Sequence, residues 1–403
     1  MNKKDVFDIF DKLLPSEITS VSVGVSGGAD SLCLMLLLSE WCKKKNVKLT
    51  ALTVDHGLRK ESKDEAKWVG KLCQKNGIFH KILTWKGQKP NTKIEEMARQ
   101  KRYELISGYC QKNKISHLFL AHHQNDQTET FFLRLARSSS VDGLASMSEK
   151  SSRQGLVLLR PFLNFSKDDI QSFLSKNYIS DWVEDPSNEC LDFERVRFRQ
   201  FQSRLDEFGL TTKAVALTAK RLGRVRSCLE NLTQDFVLKK VQLNDAGFAF
   251  VSKDDFDVLP EELKIRVLIY LLLHITPSED KLVRLNRVEE VMNVLYQRTR
   301  SLMGCLIVPR QNGFFVCAEQ VRMEQGKKIL KNKKTCWDRF EILSSEDVFV
   351  SPLGDFLKPK RLPALVRRTI PAFFDKKGLV SVPHLDYKRK NTDIKINIHM
   401  KVR

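Results

Sequence analysis

The 403-residue sequence predicts an α/β protein: a parallel sheet covered by helices on both faces, then a mainly helical region, then a small α/β C-terminal domain. Three observations carry this. Short β-rich runs alternate with helical patterns through the first half, as in successive βαβ units. After about Arg199 the pattern changes to long amphipathic stretches with many Arg on their polar faces. The last segment has short apolar stretches broken by Pro and Gly. The expected divisions are residues 1–200, 201–325 and 335–403.

Taken in order, Val21–Val25 (VSVGV) reads as a buried strand, followed by a Gly turn and the apolar helix Leu32–Trp41. Leu49–Val54 is a second strand and Ile78–Leu83 a third. A helix over Ile94–Asn113 leads to strand Ile115–Ala121, and another helix runs from about Gln127 to Arg137. In a sheet of this kind ligands bind beyond the carboxyl ends of the strands, so the loops after Val25, Val54 and Ala121 are expected to share one crevice. Further on, Leu210–Leu238 and Leu259–Tyr296 read as amphipathic helices, and Leu302–Cys317 as a hairpin around Gln311-Asn312-Gly313. Lys327–Lys334 reads as a basic linker.

Charge narrows the partner. Sixty-nine Lys and Arg against 49 Asp and Glu give +20, a potential that attracts polyanions. The last 73 residues hold 17 Lys and Arg against 8 Asp and Glu, a net +9. Nucleic acid is the expected partner, not membrane. The longest apolar runs, Leu32–Leu38 and Val267–Leu273, fall far short of the roughly 20 residues that span a bilayer. The charged N-terminal stretch does not read as a signal peptide, so a cytoplasmic location is expected. The nine cysteines include no CxxC pair, which argues against a zinc ribbon, a dithiol site or a disulfide scaffold.

Between the first strand and its helix lies Ser26-Gly27-Gly28-Ala29-Asp30-Ser31. Glycines let backbone N–H groups approach an anion, and the helix adds its positive end. Ser26 and Ser31 can donate to phosphate oxygens. Asp30 would repel phosphate unless it met a metal ion or a cationic substrate group. A lone Ser-Gly-Gly would be an ordinary capped turn, and GxxxxGK[ST] is absent. The full six residues resemble the SGGxDS loop of the ATP pyrophosphatase (PP-loop) superfamily.

Later motifs narrow the substrate. Val54-Asp55-His56-Gly57-Leu58-Arg59 follows the second strand, and Ala98-Arg99-Gln100-Lys101-Arg102-Tyr103 sits mid-helix, where a solvated basic face is the commoner meaning. Ala121-His122-His123-Gln124-Asn125-Asp126-Gln127-Thr128-Glu129 closes a strand and opens a helix. Asp126 and Glu129 share one helical face, as a capping box would also require, or as a pair suited to Mg or an ammonium group. With Leu159–Leu163, Trp182–Asn188 and Arg195–Arg199, these stretches resemble the tRNA(Ile)-lysidine synthetase family, densely over the first half and thinly beyond.

The resemblance implies an adenine nucleotide alpha hydrolase-like fold and a two-step reaction. ATP adenylates the carbonyl oxygen at carbon 2 of the wobble cytidine in a CAU anticodon, and free L-lysine displaces AMP through its ε-amine. By motif position, Ser26 to Ser31 bind ATP, Asp30 assists metal or chemistry, Asp30 and Asp126 are the metal candidates, and Asp126 with Glu129 holds lysine. Arg102 and Arg195 stabilise phosphate charge. Arg361, Arg367 and Arg368 of the basic tail, with Lys358 and Lys360 nearby, are the expected tRNA contacts. Two departures stand out: Asn125 occupies a position that is usually acidic, and Arg137-Ser138-Ser139-Ser140 replaces a glycine-bearing stretch. Two rivals remain at this point. A tRNA thiolation enzyme would normally need a persulfide carrier or a CxxC-held cluster, and a catalytically weak tRNA-binding protein would gain from Asn125.

Overall fold

A computed structural model describes residues 1–58, 61–89, 92, 94–184, 194–276, 283–357 and 362–400. The chain packs as two units, Met1–Ser227 and Cys228–Arg403. The expected 201–325 and 335–403 parts both lie in the second unit from residue 228 onward.

The first unit begins with α1 (Lys3–Leu13), β1 (Ser20–Gly24), α2 (Ala29–Lys45), β2 (Lys48–Asp55), α3 (Ser62–Lys75) and β3 (Phe79–Thr84). It continues with α4 (Ile94–Lys112), β4 (His117–Phe119), α5 (Gln124–Leu135), α6 (Val141–Leu144), β5 (Lys150–Arg153), β6 (Leu156–Leu159), α7 (Lys167–Asn177) and α8 (Glu194–Glu207). The sheet order is β3-β2-β1-β4-β6-β5. All neighbours pair in parallel except the edge hairpin β5–β6. The chain leaves β1 toward β2 on one side and returns to β4 on the other, so the order reverses between β1 and β4. That reversal opens a crevice where the loops after the two strands diverge.

α2 is the helix that fixes this crevice. Twelve of its residues are buried, including Leu32 to Leu38 without a break, so it runs through the core and is not an amphipathic surface helix. Val21 and Val23 of β1, Phe10 of α1 and Leu174 of α7 close the same core. Helix α5 begins three residues earlier than the sequence pattern implied, at Gln124. The polar residues 124–126 hid its first turn.

The second unit follows α9 (Thr212–Lys240), which crosses the boundary between the units. It contains β7 (Val241–Asn244), β8 (Phe248–Ser252), α10 (Lys253–Asp257), α11 (Glu261–Ile275), α12 (Leu285–Met292), β9 (Arg300–Leu302), β10 (Cys305–Arg310) and β11 (Gly313–Ala318). The stretch expected to be mainly helical thus also carries a five-stranded sheet, β7-β8-β11-β10-β9. The hairpin at Gln311-Asn312 is present, with Arg310 opposite Gly313. One long helix over Leu259–Tyr296 is not: α11 stops at Ile275, where Thr276 turns to φ −125° and ψ 75°. Pro277 comes next, and the residue before a proline is pushed out of the helical region.

The tail holds β12 (Lys327–Ile329), β13 (Thr335–Trp337), β14 (Phe340–Ser344), β15 (Val348–Pro352), α13 (Ala364–Arg367), β16 (Pro371–Asp375), β17 (Gly378–Val382), β18 (Tyr387–Lys388) and β19 (Ile396–Met400). They form the sheets β12-β15-β16-β17-β18 and β13-β14-β19. The start of the expected basic linker is therefore a strand, with Lys328 opposite Phe349. Among the described residues no helix is long and apolar enough to cross a membrane.

Candidate active site

A cleft of about 480 Å³ opens at the carboxyl ends of β1, β2 and β4. It is lined by Val25, Ser26, Gly28, Asp30 and Ser31 after β1, Val54 of β2, and His122, His123, Asn125, Asp126 and Glu129 after β4, with Arg102 and Arg199 beside them. The loops after β1 and β4 meet as expected, and β2 contributes the end of the strand itself, Val54.

The loop after β1 is shaped for an anion. Gly27 adopts φ +94°, and an added Cβ would stand 3.0 Å from Val183 Cγ2, so both conformation and space demand glycine. Val183 N–H donates to the Gly27 carbonyl at 3.0 Å and closes the loop from outside. Ser31 Oγ donates to the Gly28 carbonyl at 2.9 Å and accepts from the Ser26 N–H at 3.2 Å. Gly28 is the N-cap of α2 and offers no side chain to its N–H groups. The positive end of a 17-residue helix therefore faces the cleft without a cap, where a phosphate can take that place. Cys33, two positions beyond Ser31, is fully buried, and burial pushes its thiol up to about 12.

Asp30 occupies the first turn of α2. His123 stands between two carboxylates: its Nε2 is 3.6 Å from Asp30 Oδ2 and 3.6 Å from Asp126 Oδ2. Burial holds the Asp30 carboxyl above its ordinary value; His123 and Lys167 oppose that, and the Asp126 charge adds to it. Asp30 Oδ1 is buried without a hydrogen-bond partner. An orphaned oxygen on a carboxylate that burial disfavours is what a site prepared for a cation looks like. Among the described residues no group of three or more His, Cys, Asp or Glu could enclose a metal. Two carboxylates with a nucleotide's phosphates fit Mg, which commonly takes one or two protein oxygens and keeps waters and phosphates for the rest.

The spacing of Asp126 and Glu129 resolves differently from a capping box between the two. Asp126 Oδ2 accepts from the His123 N–H at 2.9 Å, so Asp126 closes the first turn of α5. Glu129 lies deeper, its side chain 3 % exposed, and pairs with Arg199 Nε at 2.5 Å. Burial works against the Arg199 charge, but Glu129, then Asp126 and Asp30, hold the guanidinium above its ordinary value. Arg199, Lys167 and the bridging His123 are charged or polar cleft residues, among others, to which the sequence had assigned no role. Arg199 belongs to the Arg195–Arg199 run, and its partner Glu129, distant in sequence, is what holds it at the cleft. Asn125 Oδ1 accepts from the Lys167 N–H at 3.1 Å, tying α5 to the start of α7. An amide serves that bond as well as an acid would.

Arg102 reaches across from α4, its Nε 3.4 Å from His56 Nε2. Burial, with Arg102 and Lys89 nearby, pushes His56 down to about 4 despite Asp55, so His56 is neutral there at physiological pH. Asp55 Oδ1 accepts from Gly57 N–H at 2.9 Å and Ser62 Oγ at 2.8 Å, which fixes the turn that carries His56. Arg160 likewise builds structure: it is buried and donates to the Ser148 carbonyl and to Ser151 Oγ, both at 2.9 Å.

Several candidates fall elsewhere. Arg59, the side chain of Arg195, the Asp185–Asn188 stretch, Lys358, Lys360 and Arg361 lie outside the described residues. Arg367 does not present itself to a partner: it is 9 % exposed, because its position on α13 turns it inward. Arg368 is at the surface and pairs with Asp355 at 3.0 Å.

With that geometry in place, the comparisons are specific. A profile of the PP-loop domain matches residues 3–204. The tRNA(Ile)-lysidine synthase of Wolbachia pipientis wMel is 34 % identical over 391 residues, covering 93 % of this chain and 90 % of that protein. The enzyme of the same name from Ruegeria pomeroyi is 34 % identical over 304 residues, covering 75 % of this chain and 72 % of its own. That from Orientia tsutsugamushi is 31 % identical over 340 residues, covering 82 % and 76 %.

Proposed function

The chain belongs to the tRNA(Ile)-lysidine synthases of the PP-loop family, a group of ATP-using ligases that form lysidine on tRNA(Ile), and we propose how its cleft divides that work. ATP lies with its β- and γ-phosphates on Ser26 to Ser31 and the N-terminal end of α2. The O2 of the wobble cytidine attacks the α-phosphorus, pyrophosphate leaves into the loop, and the base carries AMP. The ε-amine of free lysine then attacks carbon 2, and AMP departs with the oxygen.

Each step asks something particular of the protein. Charge builds on the α-phosphate as pyrophosphate leaves, and Arg102 and Arg199, both on the cleft, provide cationic clamps, with Arg195 assigned the same task by motif position alone. Asp30 and Asp126 would hold Mg, which neutralises phosphate charge when bound. The lysine must attack as a free amine, so a carboxylate has to accept its proton. Asp30 suits either the metal or this proton but not both at once: while it is not bound to Mg, burial makes it a stronger base than an ordinary carboxylate. Glu129 already holds a cation, Arg199, and a lysine ammonium arriving beside that pair finds the same negative partner.

The observation that carries this reading is the row Asp30–His123–Asp126 beside an uncapped helix end at the strand-order reversal. The test is a purified reaction with ATP, Mg, labelled lysine and a CAU-anticodon tRNA transcript. Label enters the tRNA with release of AMP and pyrophosphate, and Glu129→Gln raises the KM for lysine at least tenfold. ATP–pyrophosphate exchange without label in the tRNA would overturn the reading.

A further inference from the structure

The second unit carries an exposed aromatic surface that none of the chemistry above uses. Strand register sets Lys328, Phe349, Phe374 and Leu379 side by side across β12, β15, β16 and β17. Residues directly opposite one another in antiparallel strands share a face. The other face of this sheet is core: Val348, Val350 and Phe373 pack with Ile329, Trp337 and Phe340. On the face in question, Leu353, Val366, Ile370 and Ala372 cover one end. The other end is open, with Phe349 46 % and Phe356 68 % exposed.

These rings are held in place. Phe356 meets Phe374 edge-on, centroids 5.2 Å apart. Phe349 lies directly over Gly326, where an added Cβ would come within 2.3 Å of the ring. Acids at the rim are already paired: Asp355 with Arg368 at 3.0 Å, Asp347 with Lys328 at 3.0 Å, and Asp375 with Arg389. Lys376 and Lys377 are exposed on the turn between β16 and β17. Rigid aromatic faces, neutralised carboxylates and exposed cations in a tail of net +9 suit a base with its phosphates.

We propose that this open end of the sheet is a stacking platform for an unpaired base of the bound tRNA. It rests on the reading of tRNA as substrate and adds a surface to it. In a duplex the base faces are already stacked, so only an unpaired nucleotide can use the rings. A ring face accepts any base, so the platform contributes affinity and leaves the choice of sequence to other contacts.

The test compares the parent with Phe349→Ala/Phe356→Ala, Phe356→Leu and Phe356→Trp, using the CAU transcript at fixed salt. The double Ala variant is expected to raise Kd and the KM for tRNA about tenfold or more, the loss of one or two stacked bases. Its kcat at saturating tRNA stays within about twofold, since no cleft residue is touched. Phe356→Leu weakens binding although it keeps an apolar side chain, whereas Phe356→Trp keeps affinity and shows quenched Trp fluorescence when tRNA is added. Equal Kd for parent and Ala variants, or full affinity for the Leu variant, overturns the platform alone. So does sedimentation showing a parent dimer that the Ala variant loses while tRNA binding persists, or selective loss of binding to phosphatidylglycerol vesicles. A parent that fails to bind the transcript overturns the tRNA reading as well.

Discussion

The carboxylate of Asp30 sits at the positive end of α2, yet burial and the Asp126 charge outweigh that help and favour its proton. Folded-state pKa above unfolded-state pKa means that Asp30 assists folding most when protonated, at low pH, and costs stability as pH rises through the raised value. Asp30→Asn is therefore expected to cut lysidine formation at least about a hundredfold. In Mg-free melts at neutral pH it should also raise Tm by a few degrees, because a functional group held at a cost is removed. The two melting curves should converge as pH falls through the carboxylate range. Added Mg should raise the parent's Tm and leave the variant's unchanged; identical Tm values at every pH would refute the account. The main candidate site residues were legible because they are contiguous: Ser26–Ser31 and Asp126–Glu129 each sit on one turn. Arg199 was not, since its partner Glu129 is 70 residues away and only folding joins them. Arg367 misled for the same reason, because a row of basic letters does not say which one faces the core.

Strands β1, β2 and β4 could be read from sequence because strands covered on both faces are near-continuous apolar runs, whereas the edge strand β3, with Phe79 62 % exposed, showed only through Ile78, Ile82 and Leu83. Helix α3 could not: only Ala66, Val69 and Cys73 of its 14 residues are buried, too few to stand out among Lys and Glu. The departure at Arg137–Ser140 has an element-level meaning. Ser138 takes φ +51° just after α5, and its N–H donates to the Leu135 carbonyl at 2.9 Å. The chain thus makes a left-handed helix stop with a residue that prefers not to be there. Ser138→Gly is expected to stabilise the protein by about 1 kcal/mol, seen as a higher urea midpoint with unchanged m. Activity at saturating substrates should stay at the parental level. A lower midpoint would mean that the serine side chain contributes more than its backbone costs.

At the scale of the whole molecule, a net charge of +20 bears on binding more than on folding. Arg368 is the one expected tail contact that the described surface offers, already paired with Asp355 in the free protein. Arg368→Ala should weaken tRNA binding about equally for all transcripts and reduce the slope of log Kd against log salt by about one. A salt titration with an unaltered slope would remove Arg368 from the interface. The burial of Cys33 has a consequence of another kind. A thiol near 12 is ionised in on the order of one molecule in 10⁵ at neutral pH, and only the thiolate reacts readily with peroxide or alkylating agents. Among the described cysteines, oxidant injury therefore begins at the solvent-facing Cys228 of α9 and Cys336 of β13, and Cys33 beside the nucleotide loop is among the last to be chemically marked.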